Sequence, residues 1–389
     1  MTTRRKFLAL AAAVAAQTGV KAAAQARVAP GAQAPAQRKD EGFVASATRD
    51  NTPRVGIVLS SFRGGADHDG TPIAGLAQPA PAASELTAAQ VDAMVVRALE
   101  VGVTARGPMT GLFAPDDWIV IKTSMPVYPG LAGGQWTRGA AADLYVVRAV
   151  AAYLARNRCG ARITIAEGAD RWKPAAQGGG PVDGWNSTWE GAFSGLTYAG
   201  MVAELGRQYR TVRFDCVDLN FDDPVPAPAP RRQERSYFVP KTIRSCDKLI
   251  AVAPLRTDPR LGVALSLAGY LGAAPGSKYG FPKRFEVPLE EAVADLYSFH
   301  PADYAVLGGS WGTEGGGASV HHNVIVAGGN AVAVDAAGAA IMGFDPAAIP
   351  HLRLAVRSGY GTADVDAIWT RGNTIEEARR PFRHASTKP

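Results

Sequence analysis

Short runs dense in valine, isoleucine and alanine alternate along this chain with stretches of helical length, and that rhythm decides its fold class. "RVGIVLSS" (54–61), "DWIVIKTS" (117–124), "ARITIAEG" (161–168), "KLIAVAPL" (248–255), "YAVLGG" (304–309) and "NVIVAGG" (323–329) read as strands. A capping-box pattern at Thr87 to Gln90 opens a helix to about Glu100, and an amphipathic stretch over 140–160 stops at Gly160. Further helices are predicted over 262–271, from Pro288 to about Phe299, over 331–343 and over 347–359. Strands alternating with helices call for an α/β fold: a parallel-rich sheet with helices on both faces, divided into two lobes with a cleft between them. With 389 residues, 47% of them apolar, the chain can bury a substantial core. No fixed-period repeat interrupts the pattern.

The first 26 residues carry a different message. Arg4, Arg5 and Lys6 precede an apolar stretch over 7–16 that is too short to span a bilayer, and Ala24-Gln25-Ala26 offers a small-x-small cleavage site near Ala26. The Arg4-Arg5 pair before Lys6-Phe7-Leu8 resembles a twin-arginine export signal, with an ordinary secretory signal as the alternative. The expected location is periplasmic or otherwise exported. No second apolar segment of membrane-spanning length follows, so no stable membrane anchor is expected. Residues 27–53, rich in Ala, Pro and Gln, read as a flexible tether. The first 26 residues hold four basic and no acidic residues, so the net charge beyond them falls from +6 to +2. A balance this small gives no electrostatic footprint for nucleic acid. Cys159, Cys216 and Cys246 form no C-x-x-C pair, which argues against an iron–sulfur cluster built from this chain. Three buried small side chains are the favoured reading, with a Cys216–Cys246 disulfide as the alternative in an oxidising compartment.

Several constellations offer chemistry. "GGSWGTEGGGASVHHN" (308–323) has the glycines of an anion-binding nest but neither the spacing of a dinucleotide fingerprint nor a Walker lysine. Within it Glu314, His321 and His322 could ligate a metal ion. In an extended strand, though, the two histidines point to opposite faces. "GADHDG" (65–70) presents Asp67, His68 and Asp69, as a hard-cation site or as a polar turn. Gly328 and Gly329 end a strand where Asn330 starts a helix, a place whose free N–H groups favour an anion. Asp335, on an otherwise apolar helix, must cap or orient something nearby. Lys122 and Arg256, at the carboxyl ends of strands, are candidates together with Lys278 to bind an anionic ligand. Residues 172–198 include Trp172, Trp185, Trp189, Phe193 and Tyr198. They form either a ligand- or partner-binding loop or a satellite core.

The order of "IKTSM", "AEGADRW", "VAPLRTDPRLGVALSLAGYLG", "VLGGSWGTEGGGAS" and "VAGGNAVAVDAAGAAIMGFDP" resembles the domain-of-unknown-function-362 family over residues 54–360, leaving 361–389 as a C-terminal extension. Some members of that family carry an appended ferredoxin-like domain; none is expected here. The resemblance marks Lys122, Glu167, Thr257, Glu314, Gly315, Gly317 and Asp335 as family-like positions. Arg256, Thr257 and Asp258 stand where the family usually has Lys-Thr-His. Ala268-Gly269 replaces Lys-Asn, and Gly308 and Asn330 replace aspartates. The functional expectation is an exported protein that binds a small anionic ligand or an unidentified cofactor in the cleft, through Lys122, Arg256, Glu314 and the Gly328, Gly329, Asn330 helix start. Two rivals remain. One is a metal-assisted hydrolase or redox enzyme with Glu314 as acid/base and His321 or His322 as ligand. The other is an accessory protein of an exported redox system that docks through 172–198.

Overall fold

Eight of the strands join in one mixed sheet: β1 (Arg54–Leu59), β2 (Trp118–Thr123), β3 (Arg162–Glu167), β4 (Arg213–Asp218), β5 (Lys248–Ala253), β6 (Tyr304–Glu314), β7 (Ala318–Gly328) and β8 (Trp369–Gly372). Their spatial order is β8-β1-β7-β6-β5-β2-β3-β4. From β6 through β5, β2 and β3 to β4 every pairing is parallel; β7 runs antiparallel to both β6 and β1, and β8 pairs in parallel with β1 at the far edge. The structure is a computed structural model and describes residues 52–67, 69–104, 107–125, 138–169, 172–173, 180–181, 197–315 and 317–385. The signal-peptide and tether assignments, His68, and most of 172–198 fall outside the described residues.

The inner parallel strands are apolar along most of their length because both faces of the sheet are covered there, whereas the edge strand β4 is polar and only part-buried. On β2, Val120 joins one core while Ile119 and Ile121 join the other; on β5, Leu249 and Ala251 alternate with Ile250 and Val252 in the same way. One face is packed by α1 (Ala88–Val101), α2 (Leu144–Arg156) and α3 (Tyr198–Gln208). The other is packed by α4 (Leu289–Phe299), α5 (Ala331–Ile341) and α6 (Pro350–Arg357). The Thr87 capping box forms as the sequence implies: its hydroxyl accepts from the Gln90 N–H, and the Gln90 side chain accepts from the Thr87 N–H. Below it Val91, Met94, Val95, Ala98 and Leu99 make the buried stripe of α1.

Three local expectations change. The helix predicted over 262–271 is instead a two-residue strand, Gly262–Val263, paired with Thr257–Asp258 and followed by a 3-10 turn, Ala268–Ala273. Leu261, Val263, Leu265, Leu267 and Tyr270 are all buried, so their apolar pattern records a segment enclosed on all sides rather than one helical face. The glycine-rich stretch 308–323 is no loop but the outer half of the β6–β7 hairpin, with Trp311 opposite His321 and Glu314 opposite Ala318. A register irregularity between Gly309 and Trp311 lets the ladder absorb Gly308 and Gly309, both at positive φ. The segment 361–385 is part of the fold, supplying β8 to the sheet and Phe382 to the core. The favoured reading of the cysteines, without a disulfide, agrees with the fold: the three thiols are free, Cys159 and Cys246 buried and Cys216 part-buried. β2 and β3 separate β4, which carries Cys216, from β5, which follows Cys246. Three strand spacings come to about 14 Å, beyond the ~7 Å that a disulfide can bridge between Cα atoms.

Candidate functional site

Parallel strands end at one edge of a sheet, and loops leaving that edge enclose the usual ligand crevice. Here the carboxyl ends of β2, β3 and β5 deliver Ser124 and Met125, Glu167 to Ala169, and Arg256 with Asp258 to one cavity of about 120 Å³. The 3-10 turn closes one wall with Ala268, Gly269, Leu271 and Gly272, while Lys283, Phe285 and Leu289 close another. Of the residues singled out in the sequence, Glu167 and Arg256 line this cavity, and Lys122 lies directly beneath it through its bond to Glu167. The cavity sits over the edge of a single continuous sheet.

Its floor is a buried ion pair. The Lys122 Nζ donates to Glu167 Oε2 at 2.6 Å and to the Thr123 carbonyl at 2.6 Å; the side chains are 1% and 2% exposed. The Gly168 N–H donates to the other carboxylate oxygen at 3.0 Å. Burial pushes the Lys122 pKa down, and the Glu167 carboxylate opposes that shift. Gly272 is required here: a Cβ on it would lie 2.0 Å from Glu167 Oε1 and 2.8 Å from Lys122 Nζ. Lys283 then staples two walls together, donating to the Gly168 carbonyl at 2.5 Å and to those of Leu271 and Gly272 at 3.4 and 3.5 Å.

Arg256 is less committed. Its Nε is buried without a hydrogen-bond partner, and its closest carboxylate, Asp258, stands 3.8 Å from NH1. Asp258 is occupied by its own turn, accepting from the Arg260 and Leu261 N–H groups at 2.9 and 3.1 Å. Burial lowers the Arg256 pKa, and Asp258 counters it. The hydroxyls of Thr257 and Thr123 are also buried and unpartnered. Asp335 works from behind the wall. Its carboxylate accepts from Ser266 N–H (2.9 Å), Ser266 Oγ (2.5 Å) and Leu267 N–H (2.9 Å), fixing the chain just before the 3-10 turn. Burial raises its pKa to about 7, against the pull of those three donors.

The other candidates go elsewhere, for physical reasons. Glu314, at the hairpin tip, is clamped by Arg383, whose Nε and backbone N–H donate to the two carboxylate oxygens at 2.7 and 2.8 Å. Partial burial would raise its pKa, but the Arg383 donors hold it below the usual value. Gly315 takes part in the same clamp by donating to the Arg383 carbonyl, and Gly317 closes the turn by donating to that of Glu314. His321 stacks on Trp311 at 4.3 Å between ring centroids, whereas His322 is buried against Ala378, its Nε2 at 2.8 Å from that carbonyl. Neighbours in an extended strand, they face apart, and among the described residues no three His, Cys, Asp or Glu side chains gather as a metal site. Gly328, Gly329 and Asn330 follow an antiparallel strand, so they emerge toward the opposite edge of the sheet. There Asn330 caps α5 through Ala333 N–H (2.9 Å) and donates to the Tyr360 carbonyl (3.1 Å). Lys278 lies over the Phe238 ring at 4.7 Å. Asp67 pairs with Arg371 at 2.6 Å and Asp69 accepts from Thr71 N–H, so both carboxylates of "GADHDG" are engaged. Tyr198, at the end of the aromatic segment, is buried and donates to the Ala142 carbonyl.

Sequence reading missed Ser124, Lys283 and the role of Gly272. Lys283 sits in a loop with no periodicity to mark it; Gly272, inside the "GYLG" block, was the one legible signal. A family model described as a domain of unknown function (DUF362) matches residues 119–340, a span that runs from β2 to the last turn of α5. No curated protein matches the chain.

Proposed function

Because the chain belongs to the DUF362 family and the matched span holds Lys122, Glu167, Arg256, Gly272 and Lys283, we propose that it binds a small anionic ligand in the cavity at the carboxyl edge of β2, β3 and β5. The observation that carries this reading is the unfilled, buried Nε–H of Arg256 beside a cavity whose two carboxylates are already engaged. Glu167 is neutralised by Lys122, and Asp258 holds a turn, so the guanidinium is the group left to meet an incoming charge. At about 120 Å³ the cavity is well below the ~300 Å³ at which drug-sized pockets begin, and suits a small acid or the head of a larger one. Export by the twin-arginine route, supported by Arg4 and Arg5, belongs to the same proposal.

Isothermal titration with small carboxylates tests the site. A charged hydrogen bond contributes about 1.5–3 kcal/mol, so Arg256→Met should weaken binding roughly 10- to 100-fold while the unfolding temperature stays within a few degrees. Equal affinity in wild type and variant would remove Arg256 from the site.

A further inference from the structure

The cavity asks its ligand for more than a negative charge. Glu167 lines it with a carboxylate, and an ionised carboxylate can only accept hydrogen bonds. Lys122 and Gly168 supply one donor to each oxygen, which leaves lone pairs on both, since a carboxylate has about four acceptor sites. An anion made only of acceptors, seated against Arg256, would set its oxygens against those lone pairs in a confined space. Met125, Leu261, Phe285 and Leu289 form much of the remaining wall. Lys283 spends its donors on three carbonyls, and Arg260 is exposed, so the buried donor left for an acid is that of Arg256. That matches one acid group better than two.

We propose that the pocket selects a small carboxylate bearing a hydrogen-bond donor next to its acid group, a hydroxy- or amino-carboxylate, with Arg256 holding the acid and Glu167 accepting from the donor. Lys122 is the positioning residue that holds the Glu167 carboxylate in place. Gly272 leaves the space that the pair occupies, since any side chain there would push Glu167 aside. This inference rests on the anion-binding reading and adds Glu167 as the residue that determines specificity.

Titration of the full chain with glycolate, glycine, acetate and ethylene glycol separates the two ideas. Glycolate or glycine should bind at least tenfold tighter than acetate, and ethylene glycol should not bind; the better of the first two tells hydroxyl from ammonium. Acetate binding as tightly as both donor-bearing acids overturns the donor requirement while leaving the anion site standing. Failure of all four probes, or ethylene glycol matching glycolate, removes the anion site and this inference together. In the Lys122→Met/Glu167→Met double variant, which removes the acceptor and leaves no unpaired buried charge, glycolate should fall to the affinity of acetate. A folded double variant that keeps the preference shows that Glu167 is not the acceptor. Should that variant fail to fold, the wild-type series alone decides between the outcomes.

Discussion

At the scale of single residues, the molecule spends its buried polar groups on holding a wall rather than on exposed chemistry. Asp335 is the clearest case. It is fully enclosed on an apolar helix, and its three donors all belong to the segment that leads into the pocket's 3-10 turn. Burial raises its pKa from 3.8 to about 7, so its share of stability is fully present below pH 4 and is lost as pH rises through 7. Asp143, raised to about 6 by burial, acts in the same sense. His322 and His351, lowered by burial to about 4, act oppositely: their share is present above pH 6.5 and is lost as pH falls toward 4. These opposed terms flatten the wild-type profile in acid, so the informative quantity is a difference. Asp335→Asn mimics the protonated acid. Compared with wild type by urea unfolding, its relative stability should improve between pH 5 and pH 8, by up to about 3 kcal/mol. A difference that does not change with pH would mean that Asp335 does not titrate in this window.

At the scale of elements, the β6–β7 hairpin and the C-terminal segment form one device. Thr313 donates to the Leu255 carbonyl at 2.9 Å and bridges Arg256, so the hairpin sets where the guanidinium leaves β5. The C-terminal segment in turn pins the hairpin. Arg383 clamps Glu314, while Phe382 is buried against His322 and over Gly312. These two anchors differ in worth. The Glu314–Arg383 pair is solvated on the arginine side, and such pairs contribute about 0–1 kcal/mol. A buried phenylalanine removed from a core costs about 3–5 kcal/mol. Chemical denaturation should therefore find Phe382→Ala several-fold more damaging than Arg383→Ala, and Glu314→Gln close to neutral. A large loss from Glu314→Gln would restore it as a residue with work beyond the clamp. In the same hairpin Gly308 sits at φ +97 with the Val324 carbonyl oxygen 2.1 Å from any Cβ, so no side chain fits.

At the scale of the whole molecule, one edge of one sheet gathers the pocket, and the opposite edge takes the caps and turns. The reversal of β7 is what sorts them: residues after β2, β3 and β5 reach the cavity, and those after β7 do not. The export proposal is also tested at this scale. Arg4→Lys with Arg5→Lys should leave the protein in the cytoplasm at precursor mass, as read by cell fractionation and mass spectrometry. Undiminished export of the double variant would favour the ordinary secretory route.

What could be read from the sequence alone follows from locality. Strand and helix periods, the Thr87 capping box and the α/β class depend on neighbours within a turn or a strand, and apart from the enclosed segment 262–271 they came through with shifts of a few residues at most. Lys122, Glu167 and Arg256 were marked by their places at strand ends and by family likeness. Their convergence on one cavity was decided by sheet order, which brings β2, β3 and β5 side by side although some 80 residues separate β3 from β5. Only the tertiary structure could show that Glu314 is spoken for by a residue 69 positions away. It alone turned the glycine-rich stretch into a ladder and set Asn330 facing the wrong edge. Strand direction and pairing partner are properties of two segments at once, and no single segment carries them.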